Sequence, residues 1–314
     1  MAVEDIDTQE KILTKRSAIL VIPVYLLLVT WAIVSFIPVL WMLLTAFTQK
    51  DMLLKMPPEI SLRGFTFENF GRLYDYSKIP IASTGSTLAN WLPKSIAEYQ
   101  IGIIVRWFLN SLFLASVITC FDLFFDSLSG YAFAKRKFPG NKFLFWMIIS
   151  TMMVPGQVTL VPLFLMMINL NWLDSYFALI LPSMSGVFGI FLMKQYIQSL
   201  PSDLEEAGRI DGCTEFGLFW RIILPLCKPV LAVLGIFVFV GNWNNFLWPL
   251  IILKSEKMYT LQVGLAILQQ MQEHGLDYGI RMAGAVVAAV PIIIVFLFMQ
   301  KYFIKGLTIG SVKG

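Results

Sequence analysis

The sequence has little charge and few residues of the kinds that bind metals or form disulfides. Charged residues make up 14% of the chain and hydrophobic residues 57%, whereas soluble domains usually carry about 25% charge. One histidine and three cysteines (Cys120, Cys213 and Cys227) give neither a zinc-ligand spacing nor a disulfide framework. A soluble enzyme, a metal site and a redox role are therefore not expected.

A phosphate-binding loop of the Gly-x-x-x-x-Gly-Lys-Ser/Thr type is also missing, so this chain is not expected to hydrolyse ATP itself. The net charge of +4 is too small to predict nucleic-acid binding. After a polar N-terminal segment, residues 1–17, comes an apolar run that is too long for a signal-peptide core and has no small-residue cleavage site. We expect this run to stay in the membrane.

Long apolar runs are what the sequence does contain. Six of them can each cross a bilayer: residues 18–47, 107–134, 144–170, 176–196, 230–253 and 282–303. Backbone polar groups must be hydrogen-bonded within lipid, so these runs predict an all-α polytopic membrane protein with six transmembrane helices. Between them we expect an extracytoplasmic cap loop at 48–106, a transmembrane core at 107–304 that includes a cytoplasmic loop at 197–229, and a C-terminal tail at 305–314.

The short loops predict the orientation. Lys135, Arg136, Lys137 and Lys142 crowd the second connection, whereas the loop at 171–175 contains only Asp174. Basic loops face the cytoplasm, so an even number of spans places both termini inside.

The loop at 197–229 carries more acids than bases, which topology does not explain. Ser202 and Glu205 form a capping-box pattern that predicts the start of a short helix, and Gly212 predicts its end. A second short helix should follow, with one apolar face, before the prolines that admit the next span; that face comprises Phe216, Phe219, Trp220 and Ile223. The loop is therefore predicted to be a helix-turn-helix elbow.

Three short strings in the elbow are Glu206-Ala207-Gly208, Asp211-Gly212-Cys213 and Leu224-Pro225. Together they resemble the EAA signature of the integral permease subunits of ATP-binding-cassette importers. Gly208 and Cys213 stand where the signature has alanine. Both are small, so close packing against a partner is preserved, although Gly208 loosens the helix.

Further strings resemble the carbohydrate-importing branch of that family, specifically its MalG-type subunit: Asn110-Ser111, Tyr131 to Arg136 with Phe138-Pro139-Gly140, Tyr259-Thr260-Leu261 with Gly264-Leu265, Gly306-Leu307-Thr308 and Val312-Lys313-Gly314. The stretch at 79–100 is longer than that branch usually carries. The resemblance implies a non-enzymatic subunit in a bacterial or archaeal inner membrane that imports a carbohydrate. It also implies a second, related permease chain in a heterodimer, two ATPase subunits that bind ATP and magnesium, and an extracytoplasmic solute-binding protein, with no cofactor on this chain.

The resemblance also implies that the elbow couples this chain to the ATPase. Glu206 is the candidate for an ion pair with a basic ATPase residue, Gly212 shapes the bend, and Phe216 and Phe219 fill an apolar socket. The full set of expected coupling residues is Glu205, Glu206, Ala207, Gly208, Asp211, Gly212, Phe216 and Phe219. The alternative is that the elbow only caps the helix bundle.

The fifth span contains Asn242, Asn245 and Trp248, spaced to share one helix face. Amides and indole rings suit sugar hydroxyls and sugar C–H faces, so these residues are candidates for the substrate pathway. The alternative is that they form hydrogen bonds between helices and an interfacial aromatic belt. After this span, Lys254, Glu256 and Lys257 fit either a contact with the binding protein or an ordinary solvated loop.

Asp122 and Asp126 share one face of the second span, and acids inside a membrane suggest function. They fit either a proton relay or a contact with a basic residue of a partner chain. A proton relay would suit a rival function, an ion-coupled secondary transporter that acts without an ATPase. A membrane-embedded enzyme is a second rival, but the single histidine, His274, lies in an outer loop. Gly186 and Gly189 are interpreted as helix-packing residues.

Overall fold

The computed structural model describes residues 2–53, 55, 64–75, 78–80, 100–271 and 278–309. Five of its helices are long and apolar enough to cross a membrane: Val21–Ala46, Ile103–Lys135, Phe177–Gln198, Lys228–Ile252 and Tyr278–Gln300. A sixth span results if the bent pair Asn141–Met153 and Gly156–Asn169 crosses as one unit. The predicted all-α polytopic class is confirmed.

The first helices in chain order are α1 (Ala2–Ala46), α2 (Lys50–Leu53), α3 (Glu68–Asp75), α4 (Ile103–Lys135), α5 (Asn141–Ser150), α6 (Gly156–Asn169), α7 (Phe177–Ile180) and α8 (Val187–Gln198). The remaining ones are α9 (Asp203–Ile210), α10 (Glu215–Leu218), α11 (Leu224–Leu226), α12 (Lys228–Trp243), α13 (Leu247–Ile252), α14 (Leu261–Met271) and α15 (Tyr278–Ile309).

Two short strands, β1 (Lys78–Pro80) and β2 (Gln100–Gly102), pair in an antiparallel ladder that the sequence did not predict. They flank residues 81–99, so most of the stretch expected to be unusually long lies outside the described residues. His274 and residues 310–314 of the C-terminal resemblance lie outside them as well.

The third predicted span, residues 144–170, is not one continuous helix, because the chain bends by 100° in its middle. α5 passes through a 3-10 turn at Thr151–Met153 and stops at Val154, whose backbone is extended (φ −85°, ψ 117°). Pro155 follows and α6 begins at Gly156. The break follows from Pro155, because proline lacks an N–H donor and forces the residue before it out of the helical region.

Two other spans are interrupted. In the fourth, a 3-10 turn at Leu181–Ser183 and an extended Gly186 separate α7 from α8. In the fifth, α12 ends at Trp243 and α13 begins at Leu247. Irregular backbone is tolerated within a membrane only where protein or water covers its polar groups. Both breaks are therefore places where the bundle must offer such cover.

The chain divides into two compact units, the first of which contains residues 1–72 and 276–286. Asn69 is fully buried there, and its side-chain amide donates to the carbonyls of Ala46 and Thr48 at 3.0 and 2.8 Å. Beside it, the rings of Phe47 and Phe65 stack with centroids 4.8 Å apart. These contacts fix the chain where it leaves α1.

The second unit contains residues 73–275 and 287–314. Its centre is the packing of α4 against α8, where glycines allow very close approach. A Cβ added at Gly130 would lie 2.6 Å from Met193 Cβ, and one added at Gly189 would lie 1.7 Å from Asp126 Oδ2. Only glycine fits at such contacts. The interpretation of Gly189 as a helix-packing residue is confirmed.

Candidate functional site

The elbow forms a helix-turn-helix, as predicted, and its first helix ends in a Schellman turn. At the end of α9 the N–H of Cys213 donates to the Gly208 carbonyl at 2.9 Å, and the N–H of Gly212 donates to the Arg209 carbonyl at 3.0 Å. Gly212 has a φ of +79°, in the left-handed region that favours glycine. The predicted stop at Gly212 is confirmed.

The capping box predicted for the start of α9 does not form. Ser202 does precede the helix, but its side chain makes no capping hydrogen bond. A side-chain cap appears instead at the second helix, where the Gly217 N–H donates to Thr214 Oγ1 at 3.1 Å. A threonine directly before Glu215 is a recognisable start signal, so this cap could have been found in the sequence.

The second helix of the elbow has two apolar faces rather than one. α10 runs into a π-helical turn at Phe219–Ile223, which changes the helical spacing. Phe219 is therefore 1% exposed, whereas Phe216 and Trp220 are 57% and 51% exposed. The prediction that Phe219 fills a partner's socket is wrong, because its ring packs inside the chain, 5.5 Å from the ring of Tyr131. Phe216 remains at the surface.

Glu205 is the charged centre of the elbow, although it is only 3% exposed. Lys135 Nζ lies 3.7 Å from its Oε1, and one guanidinium nitrogen each of Arg136 and Arg209 lies 3.4 and 3.3 Å from its Oε2. Glu215 pairs with the same two arginines. A buried carboxylate is tolerated only when it is paired, so this five-residue cluster ties α9 to the end of α4. We call it the elbow cluster.

Besides Phe219, two more of the expected coupling residues act inside the chain. The carboxylate of Glu205 is covered by the elbow cluster, which also explains why it does not complete the capping box. A Cβ at Gly208 would lie 2.5 Å from Leu218 and 2.6 Å from Ile222, so its smallness serves packing between the two arms of the elbow. The expectation that Glu205 and Gly208 face the ATPase is therefore corrected: they position the elbow.

The other expected coupling residues lie at the surface: Glu206, Ala207, Asp211, Gly212 and Phe216 are exposed. The structure adds Ile210, which is 86% exposed and follows Glu206 by four residues on α9. This spacing places the two on the same helix face. Sequence reasoning overlooked Ile210, although an isoleucine between Arg209 and Asp211 was a detectable signal.

The break in the fifth span changes the candidate substrate pathway. Because the helix stops at Trp243, Asn242, Asn245 and Trp248 do not form one continuous helical face. Trp248 is 8% exposed and its indole N–H donates to the Ala178 carbonyl at 3.0 Å. Its assignment to the pathway is therefore wrong, since its ring and its donor are both used within the chain.

Asn242 and Asn245 are half-buried at this break, and Asn244, which was not selected, is exposed between them. The Asn242 amide donates to the Val238 carbonyl at 2.9 Å, one turn earlier in α12. Asparagine is a poor residue for a helix interior, so three of them within four positions could have predicted the break.

The segment 254–259 after the fifth span is fastened to the start of α4. Arg106 Nε donates to the Lys257 carbonyl at 2.9 Å, and Trp107 Nε1 donates to the Glu256 carbonyl at 2.7 Å. The Asn110 amide donates to the carbonyls of Lys257 and Tyr259 at 3.0 and 2.9 Å. We call this arrangement the outer clamp, because the segment is predicted to lie outside the cytoplasm.

Asp174 completes the outer clamp from the other side. Its carboxylate accepts the N–H groups of Lys254 and Ser255 at 2.9 and 3.0 Å, and also the Ser255 hydroxyl. Burial alone would raise the pKa of Asp174, but these hydrogen bonds and the Lys254 charge together lower it. Lys254 and Glu256 remain exposed, and Lys257 is half-buried. Two of the three expected contact residues are thus open to a partner.

Asp122 and Asp126 are buried between α4 and the break in the fourth span, at 6% and 0% exposure. Asp126 accepts the Ser185 hydroxyl at 2.7 Å and the Gly186 N–H at 3.0 Å. Asp122 Oδ1 has no hydrogen-bond partner among the described residues. Asp126 is thus satisfied within the chain, which gives it a structural role that neither earlier interpretation had considered.

Apolar helices long enough to span a bilayer, interrupted by polar breaks and joined by a surface elbow, are typical of a multi-pass membrane permease. Residues 127–309 match the family model described as "Binding-protein-dependent transport system inner membrane component". The chain belongs to this family. Membership makes it a translocating subunit rather than an enzyme, and it favours the importer over the ion-coupled transporter.

Individual relatives agree with this assignment. The arabinooligosaccharides transport system permease protein AraQ of Halalkalibacterium halodurans is 44% identical over 215 residues, 68% of this chain and 76% of that protein. The sn-glycerol-3-phosphate transport system permease protein UgpE of Yersinia pestis is 37% identical over 199 residues, 63% and 71% of the two chains.

A solved structure has the same fold. It is described as the crystal structure of a bacterial ABC transporter involved in the import of the acidic polysaccharide alginate. The TM-score is 0.75 at 22% identity, over 91% of this chain and 96% of that one.

Proposed function

We propose that this chain is one of two permease subunits of an ATP-driven importer that carries an oligosaccharide, or a fragment of a polysaccharide, into the cytoplasm of a bacterium or archaeon. The carbohydrate class is supported by the 44% identity to AraQ, whose name specifies arabinooligosaccharides. The relative named for sn-glycerol-3-phosphate is 37% identical and is the second candidate class. In this proposal both termini lie in the cytoplasm.

The observation that carries the coupling role is the exposed face of α9. Ile210 is 86% exposed and shares a helix face with Glu206, on a helix whose other face is held by the elbow cluster. Exposed apolar side chains on a helix that is tied to the rest of the chain fit an interface. Ile210 and Phe216 would enter an apolar cleft of an ATPase subunit, and Glu206 would pair with a basic residue at its rim. ATP and magnesium would bind to two such ATPase subunits and not to this chain.

The elbow cluster supplies the connection from the ATPase to the membrane helices. Breaking a buried ion pair costs about 3–5 kcal/mol, and somewhat less here because Arg209 is 42% exposed. A displacement of α9 therefore carries the end of α4 with it. Since α4 packs against α8 at Gly130, the displacement reaches the bundle core. The second, related permease chain would undergo the matching movement.

At the other end, the outer clamp holds Lys254 and Glu256 in place for a contact with the solute-binding protein. The break in the fifth span offers the side-chain amides of Asn242, Asn244 and Asn245, which can donate to and accept from sugar hydroxyls. The sugar would pass this break on its way between the two permease chains. Hydrolysis of ATP would then return the cavity to its starting orientation.

The test is ATPase activity of the complete reconstituted complex, with binding protein loaded from a panel of oligosaccharides or with sn-glycerol-3-phosphate. We expect one carbohydrate to stimulate hydrolysis, and we expect Glu206→Gln with Ile210→Ser to reduce that stimulation at least tenfold, about 1.4 kcal/mol. Asp203→Asn is the matched control, because Asp203 is an exposed acid on the same helix. Full stimulation in the double variant would refute the coupling role, and stimulation only by the phosphate ester would refute the carbohydrate class.

A further inference from the structure

A groove of about 650 Å³ lies where α4 ends and α5 begins. Its lining combines aromatic and basic side chains, including Phe133, Lys137, Phe138 and Lys142, and contains no acidic residue. The rings of Phe133 and Phe138 lie 6.0 Å apart. The Asn141 amide braces the turn by donating to the Arg136 carbonyl at 2.9 Å. The groove is therefore a formed feature with one sign of charge.

Two of the positive charges at this groove are not neutralised. Arg136 is engaged by Glu205 and Glu215 in the elbow cluster. Lys137 and Lys142 are exposed, and neither has an ion pair with any residue that the structure describes. No side chain caps the N-terminus of α5, which begins beside them at Asn141 and adds a partial positive charge. The groove is thus complementary to an anion.

The surroundings of the groove are apolar. α4 is a membrane span that ends at Lys135, and α5 is the first arm of the bent pair. Along α5, Phe143 is 72%, Trp146 67% and Met147 49% exposed. These three side chains form an apolar strip that a free anion would not contact. A lipid would contact both parts of the site, because its charged head group suits the lysines and its hydrocarbon chains suit the strip. Basic pockets at the ends of membrane helices attract anionic lipid head groups.

We infer that the groove binds the phosphate head group of an anionic phospholipid, with Lys137 and Lys142 as its ligands and the acyl chains along Phe143 and Trp146. This inference is independent of the proposed transport function. It depends on the lipid meeting both features at once, since Lys137 and Lys142 recognise charge and the strip on α5 recognises hydrocarbon. The elbow cluster adjoins the site through Arg136, so a bound lipid would stabilise the end of α4.

The test uses the complete transporter complex in nanodiscs that contain phosphatidylcholine with or without phosphatidylglycerol. After mild transfer to detergent, native mass spectrometry counts the retained phosphatidylglycerol. Each basic residue near a membrane surface strengthens anionic-lipid binding by about fivefold. We therefore expect Lys142→Gln to weaken retention about fivefold, and Lys142→Gln with Lys137→Gln to weaken it more than tenfold. Lys228→Gln is the matched control, because Lys228 is an exposed lysine at the first position of another membrane helix, α12.

Equal retention in the Lys142 and Lys228 variants would overturn the inference. So would displacement of the lipid by millimolar inorganic phosphate, which would indicate a simple anion site. A third outcome would assign the groove to a protein contact instead. In it, the double variant would fail to assemble with the ATPase in phosphatidylcholine nanodiscs, yet would retain phosphatidylglycerol normally in the mixed nanodiscs.

Discussion

The elbow and the segment 254–259 are both fastened to α4, one at its end and one at its start, by different chemistry. The elbow is held by ion pairs between side chains, in which two carboxylates share the same two arginines. The outer clamp is held by hydrogen bonds between side chains and the backbone: side chains at the start of α4 donate to carbonyls, and the Asp174 carboxylate accepts N–H groups.

This difference has consequences for motion. Long charged side chains can exchange partners within a cluster while the cluster stays intact, so the elbow can turn slightly without detaching from α4. An indole ring that donates to a backbone carbonyl allows no such exchange, because both groups are fixed in position. The elbow is suited to transmit a movement, and the outer clamp is suited to keep one geometry.

The largest effect that separates the two regions should come from Glu205→Ala. Loss of the carboxylate leaves the Lys135 side chain, 8% exposed, without its acid. We expect the free energy of unfolding to fall by about 3 kcal/mol, whereas Glu206→Ala, at the exposed neighbour, should change it by less than about 0.5 kcal/mol. The apparent unfolding midpoint of the purified protein in detergent measures both.

A second substitution checks the cause. Adding Lys135→Met to Glu205→Ala removes the uncompensated charge and should recover part of the loss. If Glu205→Ala and Glu206→Ala prove equally mild, the elbow cluster does not hold α9, and the comparison of the two regions fails.

The rigidity of the outer clamp is tested by Gly264→Ala on α14. The new Cβ would lie 2.1 Å from Cε3 of Trp107, which cannot withdraw without losing its 2.7 Å hydrogen bond to the Glu256 carbonyl. Overpacking of this kind costs about 1–3 kcal/mol, and we expect about 2. Gly241→Ala is the control, because nothing lies within 4 Å of its added Cβ. A neutral Gly264→Ala would mean that the outer clamp is adaptable.

The two regions also differ in how far the sequence predicted them. The turn at Gly212 and the beginning of α9 after Ser202 follow from local rules, and both were predicted. The direction of the Glu205 carboxylate was not predicted. Lys135 and Arg136, about 70 residues earlier in the chain, draw the carboxylate away from the capping position at the start of α9. The π-helical turn at Phe219–Ile223 was missed because the apolar spacing was extended through it as an ordinary helix.

The outer clamp could not have been predicted from local patterns. Asn110 reaches a carbonyl 147 residues later, and a hydrogen bond to a backbone carbonyl leaves no mark on the residue that accepts it. The break at Asn242 to Asn245, in contrast, could have been predicted, because its asparagines are unfavourable inside a helix. Trp248 was assigned to the pathway because its partner, the Ala178 carbonyl, belongs to another span.

The smallest effect should come from Asp174→Asn, which sharpens the comparison by removing the carboxylate charge from the outer clamp. Asp174 has a φ of 56°, and asparagine accepts this left-handed backbone as readily as aspartate, so any loss reflects the carboxylate. Its hydrogen bonds from Lys254 and Ser255 become neutral, which should cost about 1 kcal/mol.

Because the folded protein lowers the pKa of Asp174, its contribution is complete above the ordinary value of 3.8 and is lost as the pH falls through the lower folded value. Unfolding midpoints measured from neutral to acidic pH should thus show a constant difference between the native protein and Asp174→Asn that shrinks only at the acid end. A difference that instead widened on acidification would mean that the carboxylate is not stabilised in its charged form, and that the outer clamp is held by the donors of α4 alone.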